Sequence, residues 1–170
     1  MHVLVVIDMQ NDFISGALGT PEAAAIVPAV AEKLAQSRRA GDSVLFTRDT
    51  HEGDYLRTQE GAHLPVVHCV KNSPGWQITD ALEVEDAELI DKPSFGSWAL
   101  AEAVAALGAV EGVTLVGLCT DICVISNAMI LKARRPETPI FVDAACCAGV
   151  TPESHETALK AMAMCQITVQ

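Results

Sequence analysis

Six short runs of β-branched and other apolar residues punctuate the chain: HVLVVID at 2–8, SVLFTRD at 43–49, AELID at 87–91, VTLVGL at 113–118, PIFVD at 139–143 and QITV at 166–169. Between most of them lie alanine-rich stretches, clearest at 21–39, 97–108, 121–134 and 153–164, with apolar residues every three or four positions. That period belongs to a helix with one buried face. A strand that is apolar almost throughout has no face to offer water, so it belongs in a parallel sheet covered by helices on both sides. The alternation predicts an α/β, doubly wound, three-layer α/β/α fold on a six-stranded, mainly parallel sheet. Thr-Pro-Glu at 20–22 and again at 151–153 supplies the N-cap, first helical residue and early acid expected at two helix starts.

At 170 residues the chain is expected to form one domain, residues 1–170, with a single core. Its 22 acidic residues outweigh 11 basic ones, and the only short basic pairs are Arg38-Arg39 and Arg134-Arg135. Phosphate binding needs clustered cations, so a nucleic-acid partner is excluded. The apolar start lacks a basic leader and no run reaches the ~20 apolar residues of a membrane span. The expectation is a cytoplasmic protein without a membrane partner, whose six cysteines are thiols. Residues 49–86 break the rhythm and hold Tyr55, Trp76 and three of the five histidines. A connection of that length in a compact domain is usually functional or disordered, and its aromatics and histidines favour function.

Ligands of open parallel sheets bind beyond the carboxyl ends of the strands, where the strand order reverses. Here the strands are expected to end at Asp8, at Asp49, at Lys92, in the segment Cys119 to Cys123, and at Asp143. Each has a plain alternative: a turn Asp, a solvated Lys, a packing Cys. Asp, Lys and Cys together at neighbouring strand ends make a workable set for thiol catalysis. Within GLCTDICV at 117–124, Thr120 or Asp121 is expected to cap the following helix, placing Cys123 in a first turn that stabilises a thiolate. A structural zinc on Cys119 and Cys123 would need a second soft pair. Cys69, Cys146, Cys147 and Cys165 are scattered, and Cys146 and Cys147 are read as packing residues after the fifth strand. In DTH at 49–51, Asp49 and His51 share a face of an extended chain. Together with Glu60, His68 or His63 they could bind Zn, Fe or Mn.

Four segments, VVIDMQNDF at 5–13, RDTH…EGAHLPVVHC at 48–69, DKPSFGS at 91–97 and GLCTDICV, resemble in order and separation the motifs of the isochorismatase-like cysteine hydrolases, the nicotinamidases among them most closely. The resemblance implies an isochorismatase-like, Rossmann-like fold and a catalytic triad of Asp8, Lys92 and Cys123. It implies Asp49, His51 and His68 as ligands of a divalent metal, Zn2+ favoured over Fe2+ or Mn2+, with Glu60 as a further ligand, and sets His63 aside. It implies a cis bond between Leu118 and Cys119, with the amides of Cys119 and Cys123 facing an oxyanion, and Phe13 as a pocket wall. The implied activity is hydrolysis of a small primary carboxamide, nicotinamide foremost, through a thioester, by a homo-oligomer (dimer or tetramer) in NAD metabolism. This sequence departs from the pattern in two places: Thr50 stands where many nicotinamidases have Trp, and Cys119 stands at a position that is commonly Ala. The alternatives are a carbamoyl or ureido amidohydrolase, another cysteine hydrolase of the family, and a non-catalytic binding module. Isochorismatase activity proper is disfavoured because enzymes of that type carry no nucleophilic Cys.

Overall fold

The computed structural model describes residues 1–170. The six apolar runs become β1 (His2–Ile7), β2 (Ser43–Asp49), β3 (Glu88–Lys92), β4 (Gly112–Leu118), β5 (Ile140–Ala148) and β6 (Thr168–Val169). They form one sheet in the order β3-β2-β1-β4-β5-β6, every pair parallel. The order reverses between β1 and β4, so a crevice opens above the carboxyl ends of these two strands.

Side-chain alternation divides the core. Val3, Val5 and Ile7 of β1 face one cluster while Leu4 and Val6 face the other, the period of two that a strand imposes. The first face is covered by α4 (Trp98–Ala106), α5 (Ile125–Arg134) and α6 (Pro152–Met164), through residues such as Leu100, Leu131 and Met162. The second is covered by α2 (Pro21–Ala40), which follows the single turn α1 (Asn11–Ile14), through Ala23, Ile26, Val30 and Leu34, with spacings of three and four. Thr20 and Thr151 cap α2 and α6 as the sequence predicts, accepting from the Ala23 and Ser154 N–H groups. No helix is long and apolar enough to cross a membrane.

One expectation needs correction. The fifth strand does not end at Asp143 but runs on to Ala148, carrying Cys146 and Cys147 inside it and facing opposite clusters. Leu115 pairs with Val142 but Gly117 pairs with Cys147, so β5 bulges between them. The residues Ala-Ala-Cys-Cys-Ala have little strand preference of their own, and pairing with β4 overrides it. Asp143 lies mid-strand and pairs with Lys33 of α2 at 2.7 Å, away from the strand ends. The segment 49–86 is ordered by short helical turns, Tyr55–Arg57, α3 (Gln59–His63) and Pro74–Trp76, and by bridges from Gln10 to Ile78 and from His51 to Val70.

Candidate active site

Asp8, the residue after β1, takes a left-handed conformation (φ 47°), a region that a non-glycine residue adopts at some cost and that favours Asp among them. Its N–H reaches Thr47, and its Oδ1 accepts from the Thr47 hydroxyl at 2.6 Å. Lys92 ends β3 and points back under the crevice. Its Nζ lies 2.6 Å from Asp8 Oδ2, 3.3 Å from Cys123 Sγ, 3.1 Å from the Ser94 carbonyl and 3.6 Å from Asp49 Oδ1. Asp8 and Lys92 are both fully buried and Cys123 is 5% exposed.

Burial raises the Asp8 carboxyl further than the Lys92 ammonium beside it lowers it. Burial alone would lower the Lys92 ammonium, but the negative charges of Asp8, Cys123 and Asp49 hold it above its ordinary range. The Cys123 thiol is pushed well up, first by burial and then by Asp8, with Lys92 opposing. The depressed thiol expected of a helix start is therefore not found, because loss of water outweighs the free N–H groups of the turn.

The local geometry also differs from a capped α-helix. Thr120–Val124 forms a π-helical turn before α5, with Cys119 at the cap position and no side-chain cap bond. The Thr120 hydroxyl meets His155 Nδ1 at 2.8 Å, and the Asp121 carboxylate accepts from the Val150 N–H at 3.1 Å. These two residues tie the turn to the start of α6 rather than capping it. Asn127 holds it from the other side, donating to the carbonyls of Cys123 and Phe95 and accepting from the Ser97 N–H. The bond between Leu118 and Cys119 is cis. The Cys119 N–H donates to no carbonyl of the chain, whereas its carbonyl accepts from Ile122 and Val124. Burial and Asp121 push the Cys119 thiol up to about 12.

A second group stands beside the first. One ligand atom each from Asp49, His51, Glu60 and His68 lies within 4.8 Å of the others. Asp49 Oδ2 is 2.9 Å from His51 Nε2 and 3.4 Å from His68 Nε2, while Glu60 Oε1 is 3.6 and 3.8 Å from the same nitrogens. Burial resists ionisation of Asp49, but its bonds from His51 and His68 hold the carboxyl well below the usual range. Asp49 Oδ1 is buried without a hydrogen-bond partner. Two imidazoles and two carboxylates around an unpartnered oxygen fit a borderline divalent cation such as zinc. Tyr55 packs on both imidazoles, its ring centre 4.6 Å from that of His51 and 5.0 Å from that of His68. His63 is exposed and bonds only to the Gln59 carbonyl, outside the group.

Both groups open on a pocket of about 260 Å³, lined by Cys119 and Cys123 from one and by Asp49, Glu60 and His68 from the other. Phe13, Leu64, Phe95 and Ile122 are among its apolar walls, and no Lys or Arg lines it. Thr50 faces elsewhere: its hydroxyl accepts from Trp76 Nε1 at 2.8 Å, and Arg48 stacks on the Trp76 ring at 3.6 Å. Sequence reasoning passed over Thr47 and Asn127, and marked Tyr55 only as an aromatic of the 49–86 segment. For Thr47 a signal existed, since it lies two residues before Asp49 on the same side of β2. Asn127 reaches Phe95 and Ser97 across some thirty residues, a link that local pattern does not encode.

The family model for the isochorismatase domain matches residues 2–170. A nicotinamidase of Schizosaccharomyces pombe is 29% identical, over 92% of this chain and 87% of its own. The crystal structure of a pyrazinamidase of Pyrococcus horikoshii in complex with zinc superposes at a TM-score of 0.88 with 29% identity, covering 99% of this chain and 98% of that one. An N-carbamoylsarcosine amidase from Thermoplasma acidophilum superposes at 0.80 with 26% identity, over 100% and 96% of the two chains.

Proposed function

This chain belongs to the isochorismatase family, and from that premise we propose that it is a cysteine amidohydrolase that converts nicotinamide to nicotinate and ammonia. The observation that carries the reading is one buried ammonium, that of Lys92, in contact with both Asp8 and Cys123, the last of which lines an apolar pocket. The match over residues 2–170 supports treating the whole chain as one domain.

In the reaction Asp8 accepts the Cys123 proton as the sulfur attacks the amide carbon. Burial raises the carboxylate's basicity and the thiol with it, and the Lys92 ammonium beside the sulfur opposes the rise of the thiol. Lys92 stays charged and offsets the negative charge shared between Asp8 and the sulfur. The amide oxygen becomes an oxyanion facing the Cys119 and Cys123 N–H groups, and one such donor is worth ~2.7–4 kcal/mol in the transition state. Asp8 returns its proton to the departing nitrogen, releasing ammonia and leaving a thioester on Cys123. Water, losing a proton to Asp8, cleaves the thioester to the acid, and the proton returns to Cys123.

Asp49, His51, Glu60 and His68 would hold a divalent cation, Zn2+ on the chemistry of the donors. When bound, that ion would supply a Lewis-acid site for a ring nitrogen. Phe13 and Phe95 would flank a flat ring. The similarity to an N-carbamoylsarcosine amidase favours a second reading, a carbamoyl amidohydrolase. A carboxylate-bearing substrate of that kind would find no Lys or Arg in the pocket wall, which supports the neutral ring. The test is ammonia release from nicotinamide and from N-carbamoylsarcosine by wild type and Cys123→Ala. Turnover of nicotinamide by the variant, or of N-carbamoylsarcosine alone by wild type, would reject the proposal.

A further inference from the structure

The segment VVIDMQNDF lends Asp8 and Phe13 to the reading above and leaves Gln10 and Asp12 without a task. Gln10 is fully buried. Its Oε1 accepts the Asp49 N–H at 2.7 Å, and its Nε2 donates to the carbonyls of Asp49 at 2.8 Å and Trp76 at 2.9 Å. Its own N–H donates to the Asp8 carbonyl at 2.7 Å. One residue is thus tied by its main chain to Asp8 and by its side chain to both main-chain groups of Asp49.

The location explains the need. The last paired residues of β1 and β2 are Val6 and Phe46, with one more bond from the Asp8 N–H to Thr47. Asp49 lies beyond that ladder, at the end of β2, where its N–H and carbonyl facing β1 would go unmet. The Gln10 amide, offering an acceptor and a donor at one tip, serves them as a further peptide of β1 would. Asp12 does the same for the other segment. Its Oδ2 accepts the Cys69 N–H at 2.7 Å, and Cys69, in a left-handed conformation (φ 47°), directly follows His68.

We propose that Gln10 and Asp12 are positioning residues that fix Asp49 and His68 as ligands of a divalent cation; the proposal rests on the metal reading of that group. Partners that orient metal ligands typically contribute ten- to a hundredfold in affinity. The test is a Co2+ titration of the chelator-stripped full chain, followed by equilibrium dialysis and visible absorption, with urea unfolding of the metal-free proteins alongside.

Gln10→Glu places a carboxylate against two carbonyl oxygens, and Asp12→Ala frees the Cys69 N–H. Each should weaken Co2+ binding about ten- to a hundredfold, and Gln10→Glu should also change the shape of the Co2+ band, which a purely structural role would leave alone. Folded variants that bind within twofold of wild type with the same spectrum overturn the proposal by itself. Wild type that takes up no Co2+ removes the metal reading and the proposal with it, a separate and recognisable result. Should Gln10→Glu fail to fold, Gln10→Met and Asp12→Ala decide, and unchanged affinity in both refutes the role.

Discussion

Replacing Lys92 by Met keeps the length of the side chain and removes its charge from a site with no solvent. In wild type that ammonium lies 2.6 Å from Asp8 and 3.6 Å from Asp49, and neither Asp8 Oδ2 nor Asp49 Oδ1 has another hydrogen-bond partner. Removing one member of a buried pair leaves the other charge uncompensated and costs about 3–5 kcal/mol, a large part of the ~5–15 kcal/mol that holds a domain folded. With a urea slope of about 2 kcal/mol per M, the unfolding midpoint at pH 7 should fall by about 2 M. The penalty depends on Asp8 being ionised, and the sign follows from its raised carboxyl. A group whose pKa is raised on folding favours the folded state below its unfolded value, and that contribution is lost as pH rises through the folded value. Without the ammonium the folded value of Asp8 rises further, so the variant loses this contribution over a wider range. The gap between the proteins should therefore be wide at pH 8 and narrower at pH 5. Urea unfolding followed by circular dichroism at both pH values measures it. A midpoint within about 0.5 M of wild type, or a gap that widens toward acid, would refute the electrostatic account of this site.

Cys123→Ala should abolish ammonia release while Cys119→Ala leaves it near wild type, since only the backbone of Cys119 is asked to act; equal loss in both assays would mean the segment is misassigned. Because burial raises the Cys123 thiol, its alkylation by iodoacetamide in the metal-free protein should have a midpoint above that of the urea-unfolded chain, and a lower midpoint would contradict the desolvated site. Asp49→Asn and His68→Ala should each remove stoichiometric zinc, measured by elemental analysis of protein loaded and then dialysed; full occupancy in either would exclude that ligand. Trp76→Phe, which deletes the bond to Thr50, should lower stability by about 1 kcal/mol in urea without changing the KM for nicotinamide.

The order of strands and helices was legible because each layer writes its own period into the chain. Runs with no polar face required a sheet buried on both sides, and β1 and β4 are that sheet's centre. The residues at three strand ends, Asp8, Lys92 and Cys123, could be read as a set, since a parallel topology brings every carboxyl end to one edge. Asp49, His51, Glu60 and His68 were also readable as candidates, but their separation from His63 came from a resemblance and not from spacing.

What the sequence could not hold was decided by contacts between distant segments. The continuation of β5 through Cys146 and Cys147 depends on hydrogen bonds that β4 offers, not on the preferences of Ala and Cys. The thiol of Cys123 is raised rather than lowered because the core closes over it, and the extent of burial is a property of the packed whole. Thr120 and Asp121 bind His155 and Val150 instead of capping their own helix. Gln10 is one polar letter among several in its motif until β2 and the Pro74–Trp76 turn arrive beside it. Periodicity determines which elements form and which residues lie at their ends, because those depend on neighbours in the chain. Charge state, ligand geometry and the partners of buried polar groups depend on what the fold brings within about 3 Å, and that is set only when the tertiary structure closes.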